Sequence, residues 1–149
     1  MNGTTTLQAG FASSAPIARR VELSRHIRHD RACRRGRPAA ERLRELISNR
    51  AVLATTAINA EEIYRGLRPN ELDSAQALFR AIRVLPVRRE DAELAGTWRR
   101  EFSSRGVTLH QADCLIAATA VGANARLATG NAKDFPMDDL IVEEWPVGK

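Results

Sequence analysis

Apolar residues recur along this chain at helical spacing in some stretches and as short unbroken runs in others, and each pattern predicts its own element. From Pro38, Leu43, Leu46 and Ile47 fall at helical spacing, with proline suited to a first turn and Asn49 as the stop. AVLAT, residues 51–55, is a short apolar run of buried-strand type. NAEEIYRGL reads as a helix, with Asn59 and Glu62 as a capping box and Gly66 near its end. PNELDSAQALFRAI is amphipathic through Leu72, Ala75, Phe79 and Ile82. RVLPV is a strand candidate with Pro86 against it. REDAELAGTWRREFSSRG predicts a helix with Leu94, Trp98 and Phe102 on one face, and HQADCLIAATAVGAN a more apolar helix closed by Gly122. ARLAT reads as a strand, GNAKDF as a loop or single turn, and DLIVEEW as the last strand. Strands alternating with helices predict βαβ units and a parallel sheet.

Residues 1–37 break this regularity. They run from a Thr-, Ser- and Ala-rich start into IARRVELSRHIRHDRACRRGR, which sustains no period of 2 or 3.6. They read as a disordered basic arm ahead of one α/β domain spanning 38–149, with a short element near RRVEL left open. Composition adds little against this picture. The chain has 149 residues, 44% of them hydrophobic and 5% aromatic, so an aliphatic core is affordable. No apolar run is long enough for a membrane span, and the start does not read as a secretory signal. Two cysteines, Cys33 and Cys114, make no disulfide framework, which fits a cytoplasmic location. A net charge of +5, concentrated in the arm, allows a polyanionic partner.

The chemistry lies in the acids. In open parallel sheets, sites form beyond the carboxyl ends of the strands. Glu62 follows the strand 51–55 by a turn or two of helix, and Asn131 and Asp134 directly follow the strand 125–129. Asp113 falls in the first turn of the apolar helix, where the dipole favours a carboxylate. Acids gathered in one crevice repel each other, and a hard cation relieves that repulsion. No His- or Cys-rich set favours zinc. The pattern suits metal-assisted hydrolysis of a phosphodiester. The plainer readings are a helix-start Asp113, a solvated Glu61–Glu62 face, an Asp134 that caps a turn, a surface His110, a buried Cys114, and a Trp98 in the core or a dimer interface.

TTAINAEEIYRGL, HQADCLIAATA and LATGNAKDF, in this order, resemble the PIN-domain family, and within it the VapC-like toxins of bacterial type II toxin–antitoxin pairs. The resemblance covers about residues 36–145. It implies a three-layer α/β/α sandwich with a short parallel sheet and a Mg²⁺- or Mn²⁺-dependent ribonuclease activity. It also implies silencing by a VapB-like antitoxin and a homodimer. It assigns Glu62, Asp113, Asn131 and Asp134 to catalysis and Asp113, Glu62 and Asp134 to the metal. Arg65 and Lys133 would meet phosphate oxygens of the RNA.

One part of the family pattern has no match. The family opens on a central strand ending in Asp, then Thr or Ser and apolar residues. Here Asp30 stands near the right distance but among charged neighbours, so the first acid is absent and the central strand is missing or replaced. A coding sequence for residues 28–34, RHDRACR, can be chosen so that reading one base later spells Asp-Thr-Thr-Val-Leu-Val-Asp, the family's type of segment. A frameshift would then account for the arm. Two other classes stay open: a degenerate PIN domain that at most binds its antitoxin, and a basic nucleic-acid-binding protein that uses the arm.

Overall fold

The computed structural model describes residues 20–23 and 37–145. Its strands are β1 (Arg20–Leu23), β2 (Val52–Thr56), β3 (Arg83–Leu85), β4 (Arg126–Thr129) and β5 (Val142–Glu144). Its helices are α1 (Arg37–Ser48), α2 (Ala57–Arg65), α3 (Leu72–Ala81), α4 (Arg89–Ser104) and α5 (Gln111–Gly122), with 3₁₀ turns at Pro69–Glu71 and Ala132–Asp134. The strands form one sheet in the order β3-β2-β1-β4-β5, and every neighbouring pair is parallel. None of the helices among the described residues is long and apolar enough to cross a membrane.

Both faces of the sheet are covered, and successive residues of β4 show it. Leu127 belongs to one buried cluster with Ala95 and Trp98 of α4 and Cys114, Ile116 and Ala117 of α5, whereas Ala128 belongs to another with Leu46 of α1 and Trp145. This alternation is the strand period of two, with a helical layer on each side. Ile116 and Leu127 have no exposed surface. Burying such a side chain contributes about 1.5–3 kcal/mol, so the α4–α5 layer dominates the core. Trp98 is a core residue, 5% exposed. On the other face Glu143 joins three elements: it accepts from Arg42 Nε at 2.9 Å and Trp145 Nε1 at 3.1 Å, with Arg126 Nη1 3.8 Å away.

Two local expectations need correction, and a third, a central strand missing or replaced, is settled as replaced. Ile47 is 57% exposed, because α1 meets the sheet side through Leu46. The cap of α2 is Thr56, not Asn59: Thr56 Oγ1 accepts from Asn59 N at 3.1 Å, and Asn59 lies buried in the first turn. The third concerns the centre of the sheet. The family's customary first strand has no match in the sequence, but the central place is filled, by Arg20–Leu23 of the basic arm. Val21 pairs with Leu53 and Arg126, and Glu22 with Ala54 and Leu127. Without β1 the inner edges of β2 and β4 would leave ladder groups unpaired, at about 1–3 kcal/mol for each buried one. The four residues alternate charged and apolar, a pattern too short to read as a strand. Asp30, Cys33, His26 and His29 lie outside the described residues.

α4 and α5 form an antiparallel hairpin. Arg88 and Asp91, at the start of α4, lie against Gly122, the last residue of α5. Asp91 is 2% exposed and accepts from Arg88 N at 2.9 Å and from Arg88 Nη2 at 2.8 Å. Burial opposes its ionisation, but the hydrogen bonds and charge of Arg88 prevail and hold the carboxyl below its ordinary value. A Cβ on Gly122 would overlap both the Arg88 guanidinium and the Asp91 carboxylate. Alanine is the better helix former by about 1 kcal/mol. Gly122→Ala is nevertheless expected to destabilise by about 1–3 kcal/mol through overpacking, read as a lower urea midpoint at unchanged m-value. An unchanged midpoint would show that the ion pair moves aside freely.

Candidate active site

The topology gathers the acids at one edge of the sheet. α2 begins directly where β2 ends, so its first turns stand at the carboxyl edge. Ile58 of α2 packs against the α4–α5 core, and Glu62 lies one turn further on the same face. Glu62 is half-buried. α5 leads through three residues into the start of β4, so its amino end also stands at the carboxyl edge. His110 is its N-cap residue but makes no capping hydrogen bond with its side chain. Asp113 sits in the first turn, 1% exposed. A carboxylate there gains about 0.3–1 kcal/mol from the helix dipole.

The segment after β4 completes the edge. Thr129, fully buried, accepts from Asn131 N through its Oγ1 at 3.2 Å. Asn131 Nδ2 in turn donates to Asp134 Oδ2 at 2.8 Å. Both side chains are half-buried. The amide therefore fixes the direction of the Asp134 carboxylate. The two basic candidates differ from this group. Arg65 is 71% exposed, with Nε 3.6 Å from Glu61 Oε1 on the solvent side of α2. Lys133 is exposed on the 3₁₀ turn beside Asp134.

Sequence reasoning passed over Arg99. Its Nε donates to the carbonyl of Leu109 at 3.3 Å, from α4 across to the approach of α5. Its charge is felt at Cys114, beside Asp113. Burial pushes that thiol up to about 11, with Arg99 pulling it down and Asp113 pushing it further up. Cys114 has no exposed surface and behaves as a small apolar group of the core. The only sequence signal for Arg99 was its place one residue after Trp98, which says nothing of a neighbour ten residues on.

The donor set is all oxygen: carboxylates and one amide. Such a set suits a hard cation, and Mg²⁺ is commonly held by one or two protein carboxylates with water and substrate phosphate completing its shell. Among the described residues no three His, Cys, Asp or Glu side chains converge as a metal-binding group. The residues thus fit a Mg²⁺ shared with substrate and do not fit a cation enclosed by protein ligands.

The PIN-domain family model matches residues 31–136. The chain is 36% identical over 104 residues to ribonuclease VapC19 of Mycobacterium tuberculosis H37Rv, a match that covers 69% of this chain and 83% of the relative. Among solved structures, VapBC-1 from nontypeable Haemophilus influenzae superposes with a TM-score of 0.73 at 24% identity, covering 85% of this chain and 98% of that one. DNA-bound VapBC from Salmonella typhimurium gives 0.72 at 20% identity with the same coverage. FitAcB from Neisseria gonorrhoeae gives 0.69 at 21%, over 82% of this chain and 95% of that one. These likenesses are of fold. β1 lies outside the span that the family model matches.

Proposed function

Because the chain belongs to the PIN-domain family, we propose that it is a VapC-like ribonuclease toxin that hydrolyses RNA phosphodiesters with Mg²⁺ or Mn²⁺ and is silenced by a VapB-like antitoxin. The observation that carries this reading is Asp113, a carboxylate 1% exposed in the first turn of α5, on the edge where Glu62 and the Asn131–Asp134 pair also lie. A buried carboxylate is costly unless its surroundings compensate it, and a bound cation does so. Asp113, Glu62 and Asp134 do not converge as a closed ligand set, so they would hold the ion partly through water, and when bound it supplies charge neutralisation on the phosphodiester. Asn131 holds Asp134 in place, and Glu62 orients the attacking water. The antitoxin is proposed by analogy with the toxin–antitoxin complexes of like fold, and a homodimer by family analogy.

A second reading has its own observation. The central strand comes from outside the family match, and the sequence offers no match for the family's first acid. A chain altered there would bind its antitoxin without cleaving RNA. The test is cleavage of labelled structured RNA by the full chain in Mg²⁺, in Mn²⁺ and in EDTA. Cleavage that needs the metal is the expected result. Antitoxin binding without cleavage in any buffer would select the degenerate domain instead.

A further inference from the structure

An acidic crevice repels the phosphates it has to receive, so an RNA site of this kind needs a cation fixed at its rim. Arg42, Arg88 and Arg89 are occupied by acids: Arg42 by both Glu143 and Glu45, Arg88 by Asp91 and Arg89 by Glu93. Arg65 stands beside Glu61. Arg99 differs in two ways. No carboxylate among the described residues pairs with it, and its Nε is anchored on the Leu109 carbonyl at 3.3 Å. That anchor, four residues ahead of Asp113 in the chain, holds an exposed guanidinium near the amino end of α5. An Nε used for positioning leaves both Nη groups of the fork, the geometry that grips two phosphate oxygens at once.

We propose that Arg99 is the rim residue that binds an RNA phosphate beside the acidic edge, held in place by the Leu109 carbonyl. This rests on the ribonuclease reading and adds to it a substrate contact beyond those the family resemblance expects of Arg65 and Lys133. The contact is with the sugar–phosphate backbone, so it strengthens binding to RNA of any sequence.

The test is binding of a fluorescein-labelled RNA stem-loop to the full chain in EDTA across a series of KCl concentrations. Arg99→Gln is expected to weaken binding about tenfold and to flatten the log K against log salt slope by about 0.7, the loss of one phosphate contact. Arg99→Lys gives up the anchored fork but keeps the charge, and is expected to retain the parental slope at weaker affinity. Arg44→Gln, an exposed arginine on α1, is the control and should leave the slope unchanged. Equal loss of slope in the Gln and Lys variants would mean that Arg99 only holds the 105–110 loop, and would overturn the proposal. So would unchanged binding by Arg99→Gln. A parent chain that binds no RNA would overturn the ribonuclease reading itself, and this inference with it.

Discussion

Asparagine in place of Asp113 is expected to cut RNA cleavage by at least about 100-fold while the fold survives. Two separate consequences of one position make this a sharp test. The side chain keeps its shape, so the fully buried neighbours Cys114 and Ile116 keep their packing. The stability cost includes the dipole attraction of a first-turn carboxylate, about 0.3–1 kcal/mol. A typical domain holds about 5–15 kcal/mol, so the variant stays folded. Activity is another matter. A carboxylate that helps neutralise a phosphodiester in the transition state contributes several kcal/mol, and each 1.36 kcal/mol is tenfold in rate. Single-turnover cleavage measured beside a urea titration separates the two effects. A loss of cleavage with a collapsed midpoint would make Asp113 a structural residue. Unchanged cleavage would remove it from the site.

How much of this was legible in the sequence varied with the range of the interaction. α4 and α5 were read from Leu94, Trp98 and the Ala-rich run after Asp113, because local periodicity and burial agree there. β2 and β4 were short apolar runs, and both became inner strands. The α2 cap was misjudged because Asn59 and Glu62 have the spacing of a capping box, while Thr56, one residue past the predicted strand, makes the bond. For β1 only a short element near RRVEL was left open, and its central place was not legible. Its place rests on parallel partners about thirty and one hundred residues away, Val52 and Arg126 among them, and nothing in Arg-Val-Glu-Leu announces them. The candidate acids were singled out by their places just after strands or at a helix start, together with the family resemblance. Arg99 escaped because its role arises from the α4–α5 hairpin, which only the folded chain brings together.

The second large effect concerns the centre of the sheet. A parallel sheet covered on both faces has central strands that are apolar throughout. β1 instead carries Arg20 and Glu22, and Glu22 takes the register position between Ala54 and Leu127, which are 1% and 0% exposed. The segment therefore fills the place with charged residues where the family has an apolar strand, and the sequence offers no match for the customary first acid. Replacing residues 28–34, Arg-His-Asp-Arg-Ala-Cys-Arg, by Asp-Thr-Thr-Val-Leu-Val-Asp restores an acid, a hydroxyl and an apolar β-branched run just ahead of α1. Such a chain is expected to cleave RNA at least about 100-fold faster than the parent, the size of effect of one ligand in a charge-stabilising site. Adding Asp113→Asn to it should return cleavage to background, which ties the gain to the same crevice. Sequencing the coding DNA across codons 25–37 checks the origin independently, since the alternative frame should spell that segment. If the frame spells nothing of the kind and the replacement brings no gain, the basic arm is native. The carboxylates on α2, α5 and the turn after β4 would then have to work without a fourth.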